Sequence, residues 1–367
     1  MGSRRITNNA EEVVVMNNKH NASSGYILLL VIMIIALLSL MATYLALRVR
    51  TYYPAMQHPQ TKSQAHLLAL GGVQIGMAQL VDFFTEKKEG GGTSEEKKKQ
   101  PNPDEQSKKT LMQLLPRLNQ KQSFALQKNV EGVSGSIEIC ISSEDGKLDL
   151  NQLWDFKNNQ FVFEKQENKK KLFQELFGRI EKLSKTSDLY ASLQKKFKER
   201  GYIFNDVSEL LMLQEYKKFA SHLFYGESEK KEEEPTLYLT DIFTIWTGNQ
   251  KLSPWLFSSS WQRILDLKPV QQSNIEQVLK EFKKSMQWQS SWDKTAALLY
   301  EKNWNSLPKN IEQILDENFE PKIFSVLSRG IFDKTTDKVL AILELETTQE
   351  KDGTKKIEVK VRKLYWL

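Results

Sequence analysis

Cysteine is almost missing from this chain: Cys140 is the only one in 367 residues. A single thiol excludes an intramolecular disulfide and any metal site built from cysteines. The four histidines, His20, His58, His66 and His222, stand far apart and show no ligand spacing. No H-E-x-x-H pair, no G-x-S-x-G turn in Ser-His-Asp order and no glycine-rich phosphate loop is present, so nothing points to an enzyme. Excess charge is also scarce. The net charge is +6, and its lysines alternate with glutamates, as in Glu86-Lys87-Lys88-Glu89 and Lys230-Lys231-Glu232-Glu233-Glu234. Such runs are solvated faces or loops, and without a concentrated basic stripe no nucleic-acid partner is expected.

One stretch lacks charge, glycine and proline altogether. It runs from Tyr26 to Leu47, YILLLVIMIIALLSLMATYLAL, and is long enough to cross a bilayer as a helix. The rest of the chain, with mean hydropathy −0.50 overall, reads as a soluble globular portion of about 320 residues, room for one large or two modest domains. A secretory signal has a shorter apolar core and a small-residue cleavage site after it. Here the small residue comes first: Ser23-Ser24-Gly25 precedes Tyr26, where the helix is expected to begin. This is the order of a prepilin, cut on the cytoplasmic side of a helix that the mature protein keeps. Gly25 and Tyr26 are the candidate processing site. Tyr26, Leu30 and Leu47 mark the candidate anchor. Translation could start at Met1 or at Met16, which would leave a short leader, MNNKHNASSG. Lys19 lies before the helix, while Arg48, Arg50 and Lys62 follow it, so the count of basic residues does not itself place the N-terminus in the cytoplasm.

Beyond the apolar run, Pro54 and Pro59 are expected to break the helix. Between Gln64 and Phe84, Leu67, Leu68, Leu70, Val73, Ile75, Met77, Leu80, Val81 and Phe84 recur at helical spacing. Ala65, Ala69, Gly71, Gly72, Gly76 and Ala78 form a small-residue face suited to close packing on a sheet. Residues 86–109 read as a low-complexity linker, and a helix is expected around 109–118. Ile137, Ile139 and Ile141 alternate with Ser136, Glu138 and Cys140 in a half-buried strand. Asp145-Gly146 reads as a hairpin turn, with Lys147–Asn151 returning. From Trp154 to about Pro321 the periodicity is helical, with stripes at Leu172, Phe173, Leu176, Phe177, Ile180 and Leu183, and at Leu189, Leu193 and Phe197. Asp206 and Glu209 have capping-box spacing. Six of the eight tryptophans fall between Trp246 and Trp304 and are expected to fill a core. The C-terminus returns to strands over 323–331, 338–346 and 356–367, with Asp352-Gly353 as a turn. The expected fold is α+β: a pilin-like N-terminal transmembrane helix packed on a small antiparallel sheet, carrying a large all-α insert domain. The expected boundaries are leader 1–25, N-terminal helix 26–85, linker 86–109, first part of the pilin-like domain 110–153, helical insert 154–321 and C-terminal strands 322–367.

With these segments in this order, the chain resembles the type II secretion minor pseudopilin K family, general secretion pathway protein K. The resemblance rests on the glycine-ended leader before an apolar helix and on the small-residue helix Ala65–Leu80. It rests also on Glu144-Asp145-Gly146-Lys147-Leu148-Asp149-Leu150-Asn151-Gln152-Leu153, which is similar to the family's GKxNLNxL segment. Further along, Phe204-Asn205-Asp206-Val207-Ser208-Glu209-Leu210-Leu211 is similar to an insert-domain helix opening with an aspartate and an ELL step. Leu237–Asp241 followed by Ile242-Phe243-Thr244 is similar to the strand leading out of the insert. Where the family often has INxNTA, this chain has Lys251-Leu252-Ser253-Pro254-Trp255-Leu256.

The resemblance implies a minor pseudopilin at the tip of a secretion pseudopilus, held in the bacterial inner membrane by a single span with its bulk in the periplasm. Its implied partners are a prepilin peptidase and the other minor pseudopilins. The fifth residue after Gly25 is Leu30, where most pilin subunits carry a glutamate that pairs with the amine of the subunit above. A tip subunit has none above it and can do without the charge. Some family members bind calcium. Glu144, Asp145, Asp149 and Asn151 supply oxygens, but their spacing is not that of an EF-hand; no cofactor is expected, with calcium kept as the alternative. The alternatives are a minor pilin of a type IV pilus-like fibre, or a single-pass anchored periplasmic binding protein.

Overall fold

A computed structural model describes residues 21–85, 103–128, 132, 134–224, 237–284, 292–303, 306–316, 319–349 and 355–367. The chain divides into two units, Met1–Gln60 and Thr61–Leu367. Helix α1, Asn21–Phe84, supplies residues to both. It starts before Gly25, not at Tyr26 as the leader pattern suggests. It also runs on through Pro54 and Pro59. Each proline removes one helical hydrogen bond, yet the helix continues across both.

In the second unit α1 lies on a five-stranded antiparallel sheet. Its strands are β1 (Lys121–Leu126), β2 (Gly135–Ser143), β5 (Ile323–Phe332), β6 (Thr335–Gln349) and β7 (Lys355–Trp366), and they lie side by side in that order. Two short strands, β3 (Leu148–Asp149) and β4 (Phe243–Thr244), fall between β2 and β5 in the chain and form a separate pair. Ile137, Ile139 and Ile141 of β2 are buried, as their alternation requires. The contact with α1 depends on missing side chains. A Cβ on Gly72 would overlap Ser328 Oγ and sit 2.7 Å from Ile137 Cγ2, and one on Gly76 would sit 2.8 Å from Val326. The sheet makes room in turn: a Cβ on Gly330 would overlap the helix backbone at Ala65 O and Ala69 N. Ala65 and Ala69 are fully buried. The small-residue face thus does what its composition suggests. Pro59–Phe84 is also long and apolar enough to cross a membrane, but its burial on the sheet accounts for that character.

The neighbours β2 and β5 are joined by residues 144–322, whose described part is mainly helical. The helices Glu167–Ser184 and Leu189–Arg200 bury Leu172, Phe173, Leu176, Phe177, Ile180, Leu189, Leu193 and Phe197, the expected stripes. Ile275, Val278 and Phe282 on the helix Gln272–Lys284 are buried too. Trp255 and Trp261 are core residues, and the Trp261 Nε1–H donates to Ile242 O at 2.9 Å. Buried side chains form one continuous cluster from Ala69 and Val326 to Ile311. These helices therefore share a core with the sheet instead of closing one of their own.

Other expectations are corrected. The helix expected near 109–118 is α2, Pro103–Leu114, so the linker is shorter than its composition implies; residues 86–102 lie outside the described part, as does Asp352-Gly353. Strand β1 carries no clear periodic signal. Asp145-Gly146 is not a hairpin but part of a 3₁₀ turn, Glu144–Gly146. The next residues form β3, which pairs in parallel with β4 instead of returning to β2. A Cβ on Gly146 would run into Leu256 O, so this glycine is needed for a close approach and not for a turn. Residues Leu239–Ile242, read as strand, are a short helix. Asp206 and Glu209 do form a capping box, but on a 3₁₀ helix, Val207–Met212.

Candidate processing junction and membrane anchor

The candidate anchor is built by composition alone. An 18-residue stretch within Tyr26–Arg50 reaches a mean hydropathy of 2.8, and the large apolar side chains of the helix, from Tyr26 at 69% to Leu47 at 59%, are exposed. In water such a surface would be untenable over this length; in lipid it is the required one, because the helix satisfies its own backbone. The hydroxyl inside the span follows the same rule: Thr43 Oγ1 donates to Ser39 O at 2.8 Å. At the end of the apolar run the Arg48 guanidinium lies 5.2 Å from the Tyr44 ring and 6.0 Å from the Tyr52 ring. One helical turn each way separates these residues. An arginine flanked by tyrosines suits a membrane–water boundary. The helix is thus able to anchor the chain in a membrane.

Gly25 and Tyr26 are adjacent residues of the α1 backbone, and Leu30 lies one turn further on. Leu30 is half-exposed and brings no charge into the span. Leu47 stands at the far end. These residues are strung along one helix and are not gathered into a pocket. The leader residues 1–20, including both candidate start methionines, lie outside the described part.

Sequence reasoning missed a second place, where the helical connection leaves β2. Five residues there are buried although they carry charge: Glu144, Asp145, Lys147, Asp149 and Asp241. Lys147 Nζ lies 2.5 Å from Glu144 Oε1, with side-chain exposures of 1% and 3%, and donates to Ser325 Oγ at 3.4 Å. Asp149 caps the short helix Leu150–Leu153 through Asn151 N at 2.9 Å. Its other oxygen accepts from Gly248 N at 2.8 Å and Thr247 Oγ1 at 3.0 Å. Asp145 accepts from Lys322 N and from Asn249 Nδ2, linking the start of the connection to its end. Asp241 Oδ2 accepts from Ser260 N at 2.7 Å. Burial pushes the carboxyls of Asp149 and Asp241 above their ordinary range and Asp145 up to about 6, against the pull of the N–H groups they accept from. These oxygens hold protein donors and serve as staples. The local signal was charged residues within an otherwise apolar run, Lys147-Leu148-Asp149-Leu150.

No protein-family model matches the chain, and no curated protein matches it. Among solved structures the chain is similar to one in the crystal structure of the GspK-GspI-GspJ complex from the enterotoxigenic Escherichia coli Type 2 Secretion System. The two are 11% identical, the match covers 87% of this chain and 99% of that one, and the TM-score is 0.37. At that score the likeness carries no weight for function.

Proposed function

We propose that this chain is a minor pseudopilin of a type II secretion system, a structural subunit and not an enzyme. The observation that carries the reading is the junction Gly25-Tyr26 set directly before an uncharged, exposed apolar helix. The close seating of the same helix on an antiparallel sheet supports it. In this reading a prepilin peptidase cuts after Gly25 in the bacterial inner membrane, and the span 26–47 keeps the subunit there with residues 61–367 in the periplasm. Other minor pseudopilins then pack on it in a tip complex that starts the pseudopilus and aids export across the outer membrane. Uncharged Leu30 fits a terminal subunit. The connection between β2 and β5 adds bulk that would obstruct a further subunit above. No cofactor is needed for this work.

The test is co-expression with a prepilin peptidase and mass spectrometry of the mature N-terminus. The expected end is Tyr26, and Gly25→Val should leave the leader attached. An intact leader in the unsubstituted chain, or a cut after residue 47, would overturn the pseudopilin reading in favour of an anchored or secreted binding protein. If the cut occurs but the chain does not co-purify with minor pseudopilins, a type IV pilus-like fibre becomes the better assignment.

A further inference from the structure

Three elements meet at His66. It sits on the part of α1 that lies on the sheet, and its Nδ1 is 2.6 Å from Asp337 Oδ2 near the start of β6. Its ring stacks on the indole of Trp366, the last residue of β7, with centroids 3.8 Å apart and planes at 17°. The register accounts for the meeting. Val339 pairs with Trp366, so Asp337, two residues earlier on the same face of β6, lies just past the end of β7. The Asp337 side chain is 13% exposed and that of His66 38%, so protons from solvent reach the ring while its partner is largely shielded. Few other charges face it. On α1, Lys62 stands one turn before His66. Opposite Asp337, β5 places Gly330 and no charge, and Lys338 alternates to the other face of β6. Past Trp366 comes Leu367, whose N–H donates to Lys338 O at 3.1 Å and whose carboxylate is a second anion.

Imidazole is the side chain whose charge changes between about pH 5 and 8. Neutral, it gives Asp337 an ordinary hydrogen bond and Trp366 a plain ring stack. Protonated, it gives Asp337 a charge-assisted bond about twice as strong and places a cation over the indole face. One proton strengthens both contacts.

We propose that His66 is a proton-operated latch, holding the Trp366 end of β7 on α1 when protonated and letting that end fray when neutral. Asp337 is a positioning residue that keeps the ring over the indole. β7 pairs on one side only, with β6, and Trp366 is 49% exposed, so this end of the sheet is where local opening costs least. The closed latch binds the proton more tightly than the open one, so it is firmest at low pH and loosens as pH rises. Opening uncovers the His66 turn of α1 beside Leu67, which is already exposed.

The test is amide hydrogen exchange of the full chain in non-ionic detergent, read by mass spectrometry at several pH values from about 5 to 8. Rates are converted to protection factors, which removes the intrinsic pH dependence of exchange, and referred to the peptide covering Gly135–Ser143 in the same sample, which removes changes in global stability. Protection of the peptide ending at Leu367 should fall about five- to tenfold from the acid to the alkaline end in wild type. It should stay level in His66→Gln, and Asp337→Asn should keep less than half of the change. Wild-type protection that does not vary with pH, or that varies equally in His66→Gln, would overturn the latch. The full change retained in Asp337→Asn would overturn the role given to Asp337.

Discussion

Replacing Asp145 with asparagine should change how the stability of this protein depends on pH. Asp145 is buried, and its carboxyl is pushed from 3.8 to about 6 by desolvation, with the nearby Glu144 charge adding to the shift and the N–H groups of Lys322 and Ile323 opposing it. The folded state therefore holds this proton more tightly than the unfolded chain does. Stability is greatest below the unfolded value and falls as pH rises through the interval, until the full cost is reached above about 6. The interval of about two units corresponds to about 3 kcal/mol. The asparagine side chain has no charge to bury. The variant does lose a carboxylate oxygen that accepts from Lys322 N, so its absolute stability can fall, but that loss does not vary with pH. The quantity to measure is the stability difference, variant minus wild type, across about pH 4 to 7. Urea unfolding in non-ionic detergent, followed by fluorescence of the buried Trp154, Trp255 and Trp261, gives it, provided the m-value is unchanged. The difference should move about 2–3 kcal/mol in favour of the variant as pH rises over that range. Asp149 and Asp241 titrate in both proteins and largely cancel. A difference constant within about 0.5 kcal/mol would refute the reasoning and mean that donors to Asp145 fully offset its desolvation.

Other expectations can be checked with the same unfolding assay. Gly330→Ala should destabilise by about 1–3 kcal/mol or more, because the added carbon meets helix backbone at Ala65 and Ala69. Gly178→Ala, with nothing within 4 Å of its Cβ on a helix interior, should instead stabilise by about 0.5–1 kcal/mol. Asp149→Ala orphans Gly248 N–H and Asn151 N–H; a loss of about 2 kcal/mol or more is expected, with faster amide exchange at Gly248. Asp206→Ala removes the cap on Ser208 N and the acceptor for the Tyr365 hydroxyl, and should lower the unfolding midpoint by the equivalent of about 0.5–2 kcal/mol.

Much of the architecture was legible because it repeats locally. The span 26–47 needs only an unbroken apolar run. The stripes at Leu172–Ile180 and Leu189–Phe197 and the alternation at Ile137–Ile141 follow from one buried face on a helix or strand. The glycines and alanines of 65–78 announced close packing, though not against which strand. Three things were hidden. Strand β1 follows a short turn and is only half-buried at an edge, so its pattern is weak. Asp145-Gly146 has the letters of a hairpin, but Leu256 O occupies the space over Gly146, and that carbonyl comes from a distant part of the chain. The burial of Asp149 and Asp241 could not be read locally, because their donors, Thr247, Gly248 and Ser260, lie in other segments.

The amino-acid sequence by itself determined the apolar helix able to anchor the chain and the faces that helices and strands would bury, since each depends on hydrophobic spacing within a few turns. The tertiary structure alone decided which strand follows which in the sheet, that the helical connection shares its core with that sheet, and that Lys147 and Glu144 pair in one sealed place. Those outcomes depend on pairings between distant residues, and a buried charge becomes visible as such only when the segments that remove it from water have closed over it.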